Sequence, residues 1–465
     1  MITIVPALDD TNVALFTDLY ELRMLQAYFE ARHNDNATFS LSVRRLPKSR
    51  NYLLACGLDD VLAYLEGLCF SDDAITFLDS LGQFSSAFLN WLGNFQFAGS
   101  VDAVPEGTPV FANEPILEVT APIGEGQIAE TFIMNQVNLQ TLLASKAARV
   151  VDAASGRAVI DFGARRIHGL DAANKAARAF YIAGVNGTSN VLAAKLYGIP
   201  AVGTMAHSYI QSYEDEAQAF REFTRIYPRT VLLIDSYDTL AAIDKVIALA
   251  ADLGDAFEVQ AVRLDSGDLG DLAIKCRAKL DAAGLTDVGV FASSSLDEYK
   301  IADLISNGAP IQGFGVGTRM GVSEDAPSLD MVYKLCAYAG TGRVKLSPGK
   351  PILPGRKQIF RTMRGGTAVS DVIARADEKP DGIPLLAPVM REGKRLQAGT
   401  VTLEETRAVA KLAMNSLPER IRALEPADPP YTVTVSDALA QYHKTIKAKV
   451  VRAQAKEFVR PEKEW

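Results

Sequence analysis

The stretch Glu258–Thr318, EVQAVRLDSGDLGDLAIKCRAKLDAAGLTDVGVFASSSLDEYKIADLISNGAPIQGFGVGT, repeats one pattern that decides the fold. A short apolar run rich in β-branched residues is followed by an amphipathic helical stretch, and the pair then recurs. Strands that alternate with helices in this way belong to parallel sheets. The sequence therefore predicts consecutive βα units over these residues.

The same alternation extends back towards residue 158, and the strands that it predicts are short. The six apolar runs are AVIDFG (158–163), IPAVGT (199–204), TVLLID (230–235), EVQAVRLDSG (258–267), DVGVFASS (287–294) and IQGFGVGT (311–318). Helices are predicted over Asp215–Ile226, Thr239–Leu253, Asp271–Ala283 and Leu296–Ser306. Six runs fit either an open doubly wound sheet or most of a β/α barrel. Polar residues follow almost every run, which favours the barrel, because its strand-end loops meet on one face.

The flanking segments show other patterns and indicate a second α/β domain. Helices are expected over Asp18–Ala31, Gly57–Glu66, Asp72–Leu81, Gly126–Ala148 and Leu403–Leu417, with a small antiparallel β unit over Gly99–Glu118 and a strand pair over Gly342–Met363. We expect residues 151–340 to form the barrel-like catalytic domain. Residues 1–150 are the helical and β part of the second domain, and residues 341–465 pack back on it.

Composition narrows the class of protein. The 465 residues are 48% hydrophobic and carry 48 Lys plus Arg against 56 Asp plus Glu, a net charge of −8. An acidic chain of this kind is not expected to bind nucleic acid or an anionic membrane, although one local anion pocket remains compatible with it. Four scattered cysteines, no signal-like start and no apolar run of about 18 residues predict a reducing, cytoplasmic location.

Two glycine-rich segments indicate phosphate binding or tight turns. Gly313, Gly315 and Gly317 alternate and precede Thr318, so that backbone N–H groups can approach an anion closely. The segment GVNGTSN (184–190) is a second such turn, and Thr188 there fits an ordinary helix cap equally well.

Three strand-end groups carry possible chemistry, each with a simpler reading. Arg263 with Asp265 and Asp268 suits a polyhydroxyl ligand, Mg²⁺ or both, or else a solvated salt-bridged loop that caps the next helix. The segment DFGARRIHG (161–169) offers an Arg fork for a carboxylate or phosphate, or else a surface Arg pair. His207 can act as acid, base or nucleophile, or else be structural. The residues alone therefore indicate an α/β barrel enzyme for a phosphorylated, hydroxyl-bearing substrate.

Five motifs in order resemble one family, nicotinate phosphoribosyltransferase. They are FTDLYELRM (16–24), DFGARRIHGLDAANKAARAFYIAGVNGTSNVLAAKLYGIPAVGTMAHSY (161–209), VRLDSGDL (262–269), FGVGT (314–318) and KLSPGKPILPGRKQIFR (345–361). The resemblance implies an incomplete β/α barrel joined to a second α/β domain built from both the N- and C-terminal segments. Arg23 and Ile352 depart from the family pattern.

The reaction that the resemblance implies is ATP-coupled. Nicotinate and 5-phosphoribosyl 1-pyrophosphate become nicotinate mononucleotide and pyrophosphate, with Mg²⁺ on the pyrophosphate, in the salvage route to NAD. His207 matches the histidine that ATP phosphorylates. The cysteine cluster of some members is missing, so no zinc is expected.

The resemblance also implies site residues and a homodimer with shared active sites. Phe162 stacks on the pyridine ring, Arg165 holds its carboxylate beside Arg166, and Asp18 and Tyr20 match a motif that reaches this pocket across the dimer interface. The remaining predictions are Asp265 and Asp268 at the ribose, Arg263 at the pyrophosphate, Ser294, Gly315, Gly317 and Thr318 at the 5′-phosphate, and Thr188 and Ser208 as further substrate-binding residues. For Tyr20 the alternative is helix packing against Met24.

Three other functions stay open from the sequence. A nicotinamide-specific relative shares the fold and the histidine, but the Arg165–Arg166 pair favours a carboxylate. A quinolinate-specific relative is much shorter and needs no ATP. A silent phosphoribosyl-binding protein has no need to retain His207.

Overall fold

The structure, a computed structural model, describes residues 12–347 and 352–457. The part of the predicted strand pair and of the fifth motif at 348–351 lies outside the described residues. The chain divides into two compact units, one formed by Met1–Thr141 with Ser328–Trp465 and the other by Leu142–Pro327. Each unit is described by itself below.

The secondary structure begins with a segment in which helices and short strands are mixed. Its elements are α1 (Leu19–Glu30), β1 (Asn36–Val43), β2 (Leu53–Leu54), α2 (Leu58–Gly67), α3 (Asp72–Ser80), α4 (Ser86–Leu92), β3 (Ser100–Ala103), β4 (Pro109–Val110), β5 (Pro115–Pro122), α5 (Ile123–Ile128) and α6 (Glu130–Ala153). The first predicted helices and the antiparallel β unit are confirmed, since β3 pairs with β5. Ser71 explains where α3 starts, because its side chain accepts a hydrogen bond from the Ala74 N–H.

The central segment alternates strands and helices as the pattern predicts. Its elements are β6 (Ala158–Asp161), α7 (Leu170–Ala183), β7 (Gly187–Thr188), α8 (Val191–Tyr197), α9 (His207–Gln211), α10 (Glu216–Ile226), β8 (Val231–Leu233), α11 (Thr239–Leu253), β9 (Ala261–Leu264), α12 (Leu269–Ala282), β10 (Gly289–Ala292), α13 (Glu298–Ser306), β11 (Gly313–Val316) and α14 (Thr318–Gly321).

The strands of the central unit form a parallel sheet with the neighbour order of an opened barrel. The order is β7-β6-β11-β10-β9-β8, so the first and last strands of the βα series are neighbours, with Val316 paired to Asp161. Among the described residues no ladder joins β7 to β8. Val262 and Phe314 are fully buried, as strands covered on both faces must be. The predicted α/β class with an incomplete barrel is confirmed.

The strand predicted over IPAVGT is wrong in extent. Only Ala201 makes a bridge, and it pairs with Thr188 of β7, which the sequence indicated as a turn or cap. Pro200 has no N–H group to donate, and its carbonyl accepts the Thr188 N–H at 3.0 Å. The short contact therefore extends the sheet by one bridge.

The C-terminal segment completes the other unit. Its elements are β12 (Met331–Tyr338), β13 (Thr341–Gly342), β14 (Lys357–Arg364), β15 (Thr367–Arg375), β16 (Ile383–Pro384), β17 (Ala387–Arg391), β18 (Lys394–Arg395), α15 (Leu403–Asn415), α16 (Glu419–Arg422), β19 (Thr432–Val435) and α17 (Asp437–Glu457). The predicted pair within 342–363 is wrong, because β13 pairs with β12 and β14 pairs with β15. The hairpin turn of β14 and β15 is Gly365–Gly366, where both φ angles are positive.

Two sheets, built from both ends of the chain, organise this unit. One has the order β13-β12-β1-β5-β3-β17-β18 and the other the order β16-β14-β15-β19. Across the described residues, no helix combines the length and apolarity that a membrane crossing needs.

A buried charged cluster lies in the same unit, at the four-stranded sheet. The Arg361 guanidinium donates to Asp371 from Nε at 2.9 Å and from its NH2 group at 2.6 Å, and Tyr431 donates to the same carboxylate at 2.9 Å. The Phe111 and Tyr431 rings stack at 3.8 Å beside the guanidinium. Glu114, fully buried next to Asp371, has its pKa raised well above the ordinary value by burial and by the Asp371 charge.

Candidate active site

Residues at the carboxyl ends of the central strands contact one another. His207 opens α9, and its Nδ1 lies 3.0 Å from the Oγ of Ser236, which follows β8. Its Nε2 lies 3.8 Å from Asp265 Oδ2, after β9. Ser236 thus contacts one ring nitrogen, while the other faces a carboxylate, and the imidazole is half-exposed.

Asp265 is held by groups on both neighbouring strands. Its backbone N–H donates to Asp235 Oδ2 at 3.0 Å, and the Ser266 hydroxyl donates to the same oxygen at 2.5 Å. The Ser293 hydroxyl, after β10, donates to Asp265 Oδ1. Asp235 Oδ1 is buried and has no hydrogen-bond partner among the described residues, so it is an unsatisfied acceptor at the centre of this group.

Arg263, the third residue of β9, points along the same strand ends. Its guanidinium donates to Thr204 Oγ1 at 2.5 Å and to the Met205 carbonyl at 3.1 Å. Burial lowers its pKa, and the positive charge of Arg165 acts in the same direction, while Asp265 and Asp235 act against it. The group remains a cation, and its buried Nε–H has no hydrogen-bond partner in the part of the chain that the structure describes.

The loop after β6 is tied down by a buried carboxylate. Asp161 accepts the Gly163 N–H at 2.7 Å on one oxygen and the Thr188 hydroxyl at 2.7 Å on the other. Burial raises the pKa of Asp161, which is 1% exposed. The Thr188 hydroxyl therefore helps to orient this loop. Arg165 and Arg166 lie on the 3-10 turn that follows, and both are exposed to solvent.

Phe162 lies against the glycine strand β11. Its N–H donates to the Val316 carbonyl at 2.9 Å, and the Arg263 guanidinium lies 6.0 Å from its ring centre. A Cβ atom at Gly315 would come within 2.5 Å of the ring, a separation that real Cβ contacts do not show. The position of the Phe162 ring therefore favours glycine at residue 315.

The predicted phosphate residues come from two adjacent strand ends. Gly315 is the third residue of β11. Gly317 is the N-cap residue of α14, and Thr318 is the first residue of that helix. Ser294 lies two residues after β10 with φ +103°, and Ser295 follows with φ +43°. These are uncommon conformations for residues with a side chain, and they turn the loop backbone sharply.

Two predicted residues have roles or positions that separate them from this group. Asp268 caps α12, since its Oδ1 accepts the Asp271 N–H at 3.1 Å. Ser208 is exposed on α9 beside His207. For Asp268 the structure supplies the helix-capping role that the sequence left as the alternative.

Asp18 and Tyr20 belong to the other unit, where they flank a buried carboxyl. Thr131 donates to Asp18 Oδ2 and to Glu21 Oε1, both at 3.1 Å, and the half-exposed Tyr20 donates to Glu21 at 3.3 Å. Burial raises the pKa of Glu21 to about 7, despite the opposing hydrogen bonds from Thr17 and Thr131. Tyr20 keeps 48% of its surface exposed, so its ring is accessible on this unit.

Sequence reasoning assigned no positioning role to the six residues that hold the others in place. They are Asp161, Thr204, Asp235, Ser236, Ser266 and Ser293. Their one sequence signal is position, because each follows or ends a strand or bridge of the sheet. The hydrogen-bond partner of each residue depends on which strands are neighbours in the sheet. The order of strands in the sheet cannot be read from the pattern of residues along the chain.

Family models and curated relatives agree on one family. Residues 15–138 match the model of the nicotinate phosphoribosyltransferase (NAPRTase) N-terminal domain, and residues 158–376 match that of the NAPRTase family. A nicotinate phosphoribosyltransferase of Mycobacterium tuberculosis is 52% identical over 426 residues, 92% of each chain. One from Bacillus subtilis is 41% identical over 381 residues, 80% of this chain and 78% of that one. The crystal structure of human nicotinic acid phosphoribosyltransferase superposes with a TM-score of 0.82 at 28% identity, covering 92% of this chain and 99% of that chain.

Fold and site together define an enzyme of the opened β/α barrel type, with its reactive groups at the carboxyl ends of parallel strands. The two family models span well over half of the residues, and the bacterial relatives extend along most of the chain. The chain belongs to the nicotinate phosphoribosyltransferase family.

Proposed function

We propose that this protein joins nicotinate to the ribosyl group of 5-phosphoribosyl 1-pyrophosphate, releasing pyrophosphate, as a step of NAD salvage driven by ATP through a phosphohistidine at His207. The observation that carries the proposal is the convergence of His207, Asp265 and Arg263 at the ends of neighbouring strands. Membership of the family supports the same reaction.

The pyridine ring lies on Phe162 in this proposal. Arg165 receives the carboxylate, with Arg166 beside it, since both lie on the turn that follows Phe162 and a guanidinium pairs well with a carboxylate. In a homodimer with shared active sites, Asp18 and Tyr20 of the partner subunit close the pocket over the ring. The exposed Tyr20 ring supports this arrangement.

The donor lies across β9, β10 and β11. Asp265 accepts from the ribose hydroxyls, and Asp268 contributes less because its carboxylate caps a helix. Arg263 faces the pyrophosphate, and the 5′-phosphate lies between Ser294 and the Gly315–Thr318 backbone, with Thr188 and Ser208 at the margins. The pyridine nitrogen lone pair forms the bond to the anomeric carbon, and the carbon–oxygen bond breaks so that pyrophosphate leaves with the electron pair. Positioning and charge neutralisation dominate such a step.

ATP acts through the imidazole of His207. A ring nitrogen attacks the γ-phosphorus, the N–P bond forms, the P–O bond to ADP breaks, and water later hydrolyses the phosphoramidate to inorganic phosphate. The Ser236 contact to Nδ1 orients the ring for this step. Phosphorylation adds negative charge at His207, beside Asp265. Gain and loss of this charge change the affinity of the site for its products.

The residues present fit a Mg²⁺ ion that arrives with the substrate phosphates. The described chain contains no group of three or more His, Cys, Asp or Glu side chains suited to hold a metal by itself. Asp265 and Asp235, whose buried Oδ1 has no partner among the described residues, are the carboxylates that would hold the ion. When bound, the ion neutralises charge on the leaving pyrophosphate.

The deciding experiment measures mononucleotide formation from the donor with nicotinate or nicotinamide, with and without ATP. Product from nicotinate, increased by ATP, is expected. Product from nicotinamide alone would assign the chain to the amide-specific reaction, and no product with retained donor binding would identify a silent binder.

Arg165→Ala should raise the KM for nicotinate by about 10-fold or more, since a charge-assisted hydrogen bond contributes about 1.5–3 kcal/mol. The KM for the phosphoribosyl donor should change less than about twofold on the same scale. Steady-state kinetics with each substrate varied in turn checks this. Equal changes for both substrates would place Arg165 outside the pyridine pocket.

Gly315→Ala should displace the Phe162 ring, because the new Cβ would overlap it. Overpacking of this kind costs about 1–3 kcal/mol, and we expect it as a rise of about 10-fold in the KM for nicotinate. The matched control is Gly203→Ala, where a Cβ meets nothing within 4 Å. An unchanged nicotinate KM in Gly315→Ala would remove Phe162 from the ring site.

A further inference from the structure

The loop after β10 holds a backbone conformation that it does not adopt by itself. Ser294 and Ser295 have φ +103° and +43° in succession, and neither is glycine. Consecutive residues in such regions persist only when the surrounding structure fixes them. The groups that fix this loop therefore decide where its N–H groups point.

One anchor of the loop precedes the strained pair. The Ser293 N–H donates to the Leu264 carbonyl at 2.8 Å, and its hydroxyl donates to Asp265. This anchor joins the loop to β9, and it is part of the site already described.

The second anchor follows the strained pair at Asp297. This side chain, on a residue 9% exposed, caps α13 by accepting the Lys300 N–H at 2.9 Å with Oδ1. Its other oxygen, Oδ2, pairs with the guanidinium of Arg319. One carboxylate therefore fixes both the start of a helix and a cation from the next loop.

Arg319 is the second residue of α14, the short helix that continues the glycine loop after β11. It immediately follows Thr318, and its Nε makes a second ion pair with Glu324 Oε2 at 3.1 Å. Burial by itself raises the pKa of Asp297, but the Lys300 N–H and Arg319 outweigh it, so that this pKa lies below its ordinary value. The pKa of Arg319 is raised, mainly by the hydrogen bond with Asp297. Both partners are thus charged at neutral pH.

We propose that the Arg319–Asp297 ion pair is a positioning device that holds the Ser293–Ser295 loop and the Gly315–Thr318 loop at the separation one phosphate group needs. The inference rests on the proposed function, in which these two loops bind the 5′-phosphate of the donor. Neither Arg319 nor Asp297 touches the phosphate. They act through the backbone that they fix, and therefore on donor binding rather than on the ring.

The primary test compares the Arg319→Gln variant with the wild-type enzyme in parallel steady-state assays. We expect the KM for 5-phosphoribosyl 1-pyrophosphate to rise by about 10-fold, equivalent to about 1.4 kcal/mol, with kcat and the KM for nicotinate within about twofold. Inhibition by ribose 5-phosphate, which carries the same phosphate, should weaken by the same factor. Arg319→Lys retains the charge without the planar fork and should recover part of the affinity.

A double-mutant cycle separates positioning from general structural support. Asp297→Asn retains a good helix cap but loses the charge, and should reproduce the Arg319→Gln effect. Combining both substitutions should add nothing further, since they remove one interaction. Glu324→Gln, which removes the second, exposed partner of Arg319, is the matched control and should retain the wild-type donor KM.

Each outcome decides the matter. Parallel rises in both substrate KM values with a lower melting temperature, or additive single effects, would mean that the pair only supports the fold. Wild-type donor KM in all variants would overturn the inference while the proposed function stood. A wild-type protein that makes no mononucleotide and binds no donor would overturn both.

Discussion

His207→Ala should abolish ATP hydrolysis while mononucleotide synthesis continues at the rate seen without ATP. Loss of the attacking nucleophile in covalent catalysis costs more than about 1,000-fold in rate, and no second imidazole is placed at Ser236 and Asp265 among the described residues. ADP release and transfer of labelled γ-phosphate to the protein are the measurements. In the variant, both should fall to background.

Two further variants calibrate this result. Ser236→Ala leaves the nucleophile but removes the contact to Nδ1, and we expect a loss of about 10-fold or less in ATP hydrolysis, the value of one hydrogen bond. His443→Ala, on α17 in the other unit, removes a histidine of the same kind and should retain the full rate. Continued ATP hydrolysis by His207→Ala would refute the phosphohistidine assignment.

Asp371→Asn should produce the largest loss of stability. The substitution leaves the Arg361 guanidinium buried among Phe111, Tyr431, a neutral amide and the Glu114 carboxyl, and breaking a buried pair from one side costs about 3–5 kcal/mol. The melting temperature should fall by about 10 °C for a unit of this size. Calorimetric unfolding measures this, and a shift within about 2 °C would show that the pair is dispensable.

Glu114→Gln should increase the stability of the folded protein, and the size of this increase should depend on pH. The pKa of Glu114 is raised in the folded protein, so the folded chain holds a proton that the unfolded chain releases above its ordinary pKa of 4.5. Below pH 4.5 both the folded and the unfolded chain hold this proton, so stability does not depend on it. As pH rises from 4.5 towards the folded pKa, the unfolded chain loses the proton first, and the stability of the wild type falls progressively. Glu114→Gln should therefore be more stable than the wild type at pH 7–8 and equal to it near pH 4. Equal stability at both pH values would show that Glu114 is ionised in place.

The sequence predicted the sheet and the location of the site because both follow from burial. Strands such as β8 and β11 are buried along nearly their whole length and contain no charged residue, so the first polar residues after them fall at the sheet edge. His207, Asp265 and the Gly315–Thr318 loop were found in this way. The family motifs then supplied roles that position alone does not carry.

What the sequence did not predict depends on pairing between distant residues. Thr188 contacts Asp161 across 27 residues, and Asp235 holds Asp265 across 30, and both contacts exist because particular strands are neighbours. A two-residue strand such as β7 has no periodicity to detect, so a turn was expected there. The cap role of Asp268 illustrates the reverse case, in which a residue that fits a ligand serves its own helix.

The division of the chain into a continuous unit and a split one sets the order of events during synthesis. The central unit, Leu142–Pro327, is complete once its last residue leaves the ribosome, and its parallel strands then have all their partners. The other unit requires β12 and β14–β19, so Phe111 and Glu114 wait for Arg361, Asp371 and Tyr431 to be translated. At about 5–20 residues per second that wait lasts on the order of ten seconds or more. During this interval the apolar strands of the N-terminal segment lack their partners and are exposed to solvent. Binding by a chaperone would therefore reduce aggregation most at this stage of synthesis.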